Sequence, residues 1–149
     1  SASYGCGNIA LGTVAGRYTY NSCDNIALGQ YALYGQAASG AKSCQNIAFG
    51  CRSLYQNTSG NNNISLGAGA QYFNSTGNNN VAIGANTLGY NIAGCNNVAI
   101  GCGAMAYATP VGTNVIIGQE AMGGFGTGGN NNIGVGIAPT LMLKFVLRE

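Results

Sequence analysis

Three carboxylates (Asp24, Glu120 and Glu149), six cysteines and no histidine bound the chemistry open to this chain. Without His the usual general base is missing, and few mechanisms remain for the carboxylates. Cleavage of a glycosidic bond by two carboxylates needs them about 5–9.5 Å apart. Asp24 and Glu120 fall on repeats five steps apart, about 24 Å at a coil rise of about 4.8 Å. Neither a GxxxxGK phosphate cradle nor a GxSxG nucleophile turn occurs. The expectation is a non-enzymatic protein with no catalytic residue, no cofactor and no metal.

The cysteines follow a pattern of their own. Cys6, Cys23, Cys44 and Cys95 each stand six residues before a recurring Gly, and Cys51 and Cys102 stand one residue after it. They are positional equivalents, unlike a CxxC metal pattern, and zinc lacks the remaining ligands. Stacked coils would bring Cys6, Cys23 and Cys44 within disulfide range, although parallel side-chain directions oppose bonding. Reduced, buried, structural thiols are the expectation. Tyrosines form a second stripe: Tyr34, Tyr55 and Tyr72 lie five residues after the recurring Gly, and Tyr18, Tyr90 and Tyr107 lie six after it. Such a stripe is either a ladder that stabilises one corner or trimer interface, or a ligand-facing surface for glycans.

The elements behind these stripes come from an internal repeat. Asn, Ile or Val, a small residue, a large apolar residue and Gly recur eight times, from Asn8–Gly12 to Asn132–Gly136, with closing glycines 17, 21, 17, 17, 17, 17 and 18 residues apart. Period-two alternation marks a strand. One side carries pairs such as Ile9 and Leu11 or Val81 and Ile83; the other carries Ala10, Ala27, Ala48, Ser65, Ala82 and Ala99. The small side predicts close approach of another chain. A second short strand is expected at Ala32-Leu33, Ser53-Leu54, Thr87-Leu88, Ala104-Met105 and Ala121-Met122, before a further Gly at 60, 77, 94 or 128. The Asn before each strand reads first as turn chemistry, with an amide ladder between coils as the alternative. Four extra residues around Gly40-Ala41-Lys42-Ser43 lengthen one coil, as a binding loop or as neutral length variation.

One such repeat cannot bury its own apolar face, whereas stacked repeats share a core. The reading is therefore all-β, a parallel β-solenoid of about eight coils and roughly 40 Å at the coil rise above. Residues 1–136 form the repeat and 137–149 an exit strand toward a further fibre segment. Charged residues make up 5% of the chain and the net charge is +2, which points to neither nucleic acid nor anionic membrane. No apolar run reaches the roughly 20 residues of a membrane span. So sparse a charge suits a solenoid covered by copies of itself, a homotrimer. A chain that opens at Ser1 without Met reads as a fragment or processed product.

The motifs NIALG, NVAIG and NISLG, with GQYALYG and YQNTSGNNN, resemble the YadA-like head repeats of trimeric autotransporter adhesins, and more closely the related repeats of phage tail fibres. The final NNIGVGIAPTLMLKFVLRE is similar to the exit from such arrays. The resemblance spans nearly the whole chain. It implies a left-handed β-roll, three identical chains along a fibre axis, and attachment to a host cell through a surface glycan or protein receptor. Its coils are longer than those usual in the adhesins. Unpaired thiols suit a virion fibre assembled in a reducing cytoplasm better than an extracellular adhesin head on a bacterial surface. An ice-binding solenoid is a further alternative, weakened because no coil position is consistently Thr.

Overall fold

The computed structural model describes residues 5–19, 21–35, 42–107, 112–123 and 129–137. Every Ile/Val-small-large triplet of the repeat is a three-residue strand: β1 (Ile9–Leu11), β2 (Ile26–Leu28), β3 (Ile47–Phe49), β4 (Ile64–Leu66), β5 (Val81–Ile83), β6 (Val98–Ile100), β7 (Val115–Ile117) and β8 (Ile133–Val135). The strands pair in sequence order as one parallel sheet, each residue opposite its equivalent on the next coil. Eight strands thus delimit about seven turns of a β-solenoid. The lengthened coil does not break the register, since Ile26 still pairs with Ile47. Of its insertion, residues 36–41 lie outside the described residues, as does all of the proposed exit strand beyond Ile137.

From β2 to β6 the small side of each strand faces inward. Ala27, Ala48, Ser65, Ala82 and Ala99 are at most 1% exposed, while the large side is half-buried or exposed on every strand. This reverses the expectation that small residues form the contact between chains. On the coils of β2 and β3 a large side chain from one wall leaves room for a small one from the other: Ala27 and Ala48 pack with Ala32, Leu33 and Leu54. Where the strand carries Ile116 instead, the next coil has Gly134, at which a Cβ would come within 3.0 Å of Ile116 Cδ1. Where it carries Ser65, Ser53 Oγ donates to the Ser65 carbonyl at 2.9 Å and Ser65 Oγ donates to the Ala70 carbonyl at 2.9 Å.

The opposite wall is not the second strand that the sequence suggests. It consists of turns, because the residues two and four after each closing Gly take left-handed backbone angles. Tyr31 and Leu33 have φ of 57° and 45°, Arg52 and Leu54 56° and 50°, and Asn86 and Leu88 54° and 52°. Such angles cost roughly 1–2 kcal/mol for a residue with a Cβ. The cost is offset by burial of the leucines and by hydrogen bonds between coils, such as Leu54 N to the Ala70 carbonyl at 3.0 Å and Leu88 N to the Ala104 carbonyl at 2.8 Å. Period-two patterning cannot distinguish a strand from turns that alternate hand, since both send every second side chain inward.

The asparagine before each strand forms a ladder, the alternative to simple turn chemistry, and is buried from Asn25 onward. Asn80 Nδ2 donates to Asn63 Oδ1 at 3.1 Å and to the Gly94 carbonyl at 2.8 Å. Its Oδ1 accepts from the backbone N and the Nδ2 of Asn97, both at 3.0 Å. The same pattern runs from Asn8 to Asn132. Turn chemistry belongs to the residue before it: Asp24, Gln45, Asn62, Asn79, Asn96, Thr113 and Asn131 all have φ near 60°. A second buried column, Asn57–Asn74–Asn91, lies across the coil and was not anticipated; its amides bond one another at 3.1 and 2.8 Å.

Candidate functional site

Three features reach the surface: the outer face of the sheet, the column of thiols and the column of aromatic rings. On the sheet, Leu11 is 71% exposed, Phe49 55%, Ile83 38% and Val135 76%. Two large apolar side chains per coil, one on each side of the buried small residue, make a continuous hydrophobic strip the length of the solenoid. Monomeric soluble proteins rarely leave such a strip uncovered.

Cys6, Cys23, Cys44 and Cys95 stand in one column and Cys51 and Cys102 at a second coil position, as the spacing places them, but none of the six is buried. The position six before the closing Gly lies outside the coil corner, next to the left-handed residue that turns the chain into the strand. Cys6 Sγ is 2.6 Å from Cys23 Sγ, and Cys23 N donates to Cys44 Sγ at 3.2 Å. On the next two coils Asn61 and Asn78 hold the same place, with Cys95 after them; Cys44 N donates to Asn61 Oδ1 at 2.7 Å. Among the described residues no cluster could hold a metal ion. The hydrogen bond with Cys23 raises the Cys6 thiol above its ordinary value of 9.0, and that same bond lowers Cys23 below it. Alkylation followed by peptide mapping should therefore show Cys23 reacting with a midpoint below pH 9.0 and Cys6 with one above it. Cys6→Ala should return Cys23 toward the ordinary midpoint; coincident midpoints in the unmodified protein would contradict the contact.

The tyrosines singled out by spacing do form one ladder. Ring centroids are 5.1 Å apart for Tyr18–Tyr34, 5.1 Å for Tyr34–Tyr55 and 4.9 Å for Tyr55–Tyr72, and 5.5 Å for Tyr90–Tyr107. Phe73, which the spacing missed, links the two registers, 4.6 Å from Tyr72 and 4.6 Å from Tyr90. Tyr31 also joins at 5.7 Å from Tyr34. Arg17 lies 5.4 Å over the Tyr18 ring, a cation–π contact at one end. The hydrogen bond with Tyr18, followed by burial, raises the Tyr34 phenol.

The shift of register leaves a groove. Five residues after the closing Gly the ladder carries Tyr34, Tyr55 and Tyr72, then drops to Gly89 and Ala106, while the rings step sideways to Phe73, Tyr90 and Tyr107. The space vacated is a cleft of about 380 Å³, with Arg52, Gly69 and Asn86 on its other bank. Tyr90 and Tyr107 are 43% and 46% exposed there. Asp24 and Glu120 do not line it. Among the described residues no helix is long and apolar enough to cross a membrane. No protein-family model, curated protein or solved structure matches the chain.

Proposed function

We propose that this protein is a non-enzymatic segment of a homotrimeric fibre, most closely a phage tail fibre, that serves attachment to a host cell. The observation that carries the reading is the outer strip of Ile, Val, Leu and Phe, two per coil, left uncovered along the whole sheet. A strip of that length and straightness suits a partner with the same repeat, which is a second copy of the chain. The number three comes from the resemblance to YadA-like head repeats. Accessible cysteines such as Cys51, Cys95 and Cys102, whose equivalents on the adjacent coils are not Cys, favour assembly in a reducing cytoplasm over export as a bacterial adhesin.

The test is a charge on the strip. Ile83→Lys with Ile100→Lys should convert a trimer into monomers in sedimentation velocity, since three copies would each bring two unpaired ammonium groups into an apolar seam. Ala85→Lys, outside the strand, serves as the comparison and should leave the mass unchanged. Trimers that survive both lysines on the strip would overturn the proposed interface.

A further inference from the structure

The geometry points to the groove between Arg52 and Tyr90 as a binding site for an acidic oligosaccharide, one whose sugars run along the aromatic bank while a carboxylate meets the guanidinium. This rests on the attachment reading and names the ligand class for it.

Several independent observations converge on the groove. Its volume, about 380 Å³, falls within the roughly 300–1,000 Å³ of small-molecule sites. It opens at the coils where Gly89 and Ala106 replace the tyrosine and the ladder moves one residue along the chain. Phe73, Tyr90 and Tyr107 follow one another at 4.6 and 5.5 Å with planes only 31° and 34° apart, so their faces cover one another and the bank presents a row of ring edges along the solenoid axis. Aromatic edges beside phenol oxygens suit a sugar, in which C–H groups and hydroxyls alternate.

The opposite bank supplies direction and charge. Arg52, Gly69 and Asn86 share one position on successive coils, two residues after the closing Gly. Gly69 keeps the bank low at its centre, since a Cβ there would meet Asn86 Oδ1 at 2.6 Å. Arg52 donates its backbone N to the Gln30 carbonyl at 2.9 Å, which anchors its Cα. Its guanidinium has no ion pair among the described residues, and guanidinium favours planar, bidentate contact with carboxylate. Glu120 occupies the same column four coils further on, about 19 Å away at the coil rise, too far to neutralise Arg52 through solvent. The groove is thus cationic at one end, polar in the middle and aromatic along one side.

The experiment is titration calorimetry on the assembled protein with trigalacturonate and 3′-sialyllactose, each beside its neutral partner, carboxyl-reduced trigalacturonate and lactose. At least one acidic saccharide should bind, its neutral partner at least about tenfold more weakly, with the difference shrinking as salt is raised. Arg52→Gln should abolish that difference, and Tyr90→Ala should weaken acidic and neutral forms alike by about tenfold or more. Circular dichroism and sedimentation on both variants confirm that the solenoid and its assembly persist. Equal binding of acidic and neutral forms, or an Arg52→Gln variant that keeps the preference, would overturn the acidic specificity. No saccharide binding by an intact trimer would overturn the groove while leaving the fibre standing. A chain that binds acidic saccharide as a stable monomer would support the groove and refute the fibre.

Discussion

Asn80→Asp should be among the most damaging single-atom changes available to this protein, whereas Asn79→Asp, one residue earlier, should be nearly silent. Asn80 is wholly buried and its amide nitrogen donates to Asn63 Oδ1 and to the Gly94 carbonyl. A carboxylate would keep the two bonds accepted from Asn97 but turn an oxygen toward those two acceptors. Two lost donors and a buried charge amount to about 4 kcal/mol or more at neutral pH. Burial and the facing oxygens would raise the folded-state pKa of the new Asp above an unfolded value of about 3.9. Its contribution is therefore least harmful below that value, where the protonated acid can donate to the Gly94 carbonyl, and stability falls as the pH rises through the raised folded pKa. The variant should unfold more easily at pH 7 than at pH 3, relative to the parent measured at the same protein concentration. Asn79 is exposed with φ 57°, a conformation that Asp24 already adopts at the equivalent place. Equal losses at the two positions would show that the asparagines act as turn formers and that the ladder contributes little.

Gly84→Ala should cost at least about 3 kcal/mol, combining left-handed strain with a backbone clash. Gly84 has φ +128°, and a Cβ there would meet Gly101 C and O at 2.7 Å and Thr87 Oγ1 at 2.8 Å. Gly101 stands at the same point of the next coil, which is tied to the coil beyond it by Gly118 N donating to the Ile100 carbonyl at 2.8 Å, so the neighbour cannot withdraw without moving that coil. Gly136→Ala is the internal comparison: its φ is +154°, but no atom of the described residues lies within 4 Å of the added Cβ. Thermal unfolding of the two variants should separate the packing cost from the dihedral cost. A Gly84→Ala variant no worse than Gly136→Ala would mean that the coils are spaced more loosely than the structure shows.

Much of the fold was legible because the repeat is one-dimensional: what stacks on Asn80 is whatever lies 17 residues away, Asn63 or Asn97. The strands, their register, the thiol column and most of the tyrosine ladder follow from that rule alone. Which way a strand faces does not. Alternation divides Val81 and Ile83 from Ala82 but carries no sign, and the habit of placing large residues inside assigns the wrong side here. The signal that could have corrected it is the width of the coil: Leu88 and Met105 already fill the interior from the opposite wall, leaving room for alanine only. The left-handed leucines were hidden for a related reason, since φ above zero is uncommon for a residue of that shape. The groove was hidden because it is made by what the ladder lacks, a tyrosine at Gly89 and Ala106.

The central claim is that copies of this chain cover the outer sheet face of one another. Native mass spectrometry of the purified protein tests it most directly, with a chain of 15.0 kDa. The account predicts a dominant species of three times that mass, which persists on dilution and resists raised salt because the seam is apolar. A protein that stays monomeric and soluble with Leu11, Phe49 and Val135 open to water would contradict it.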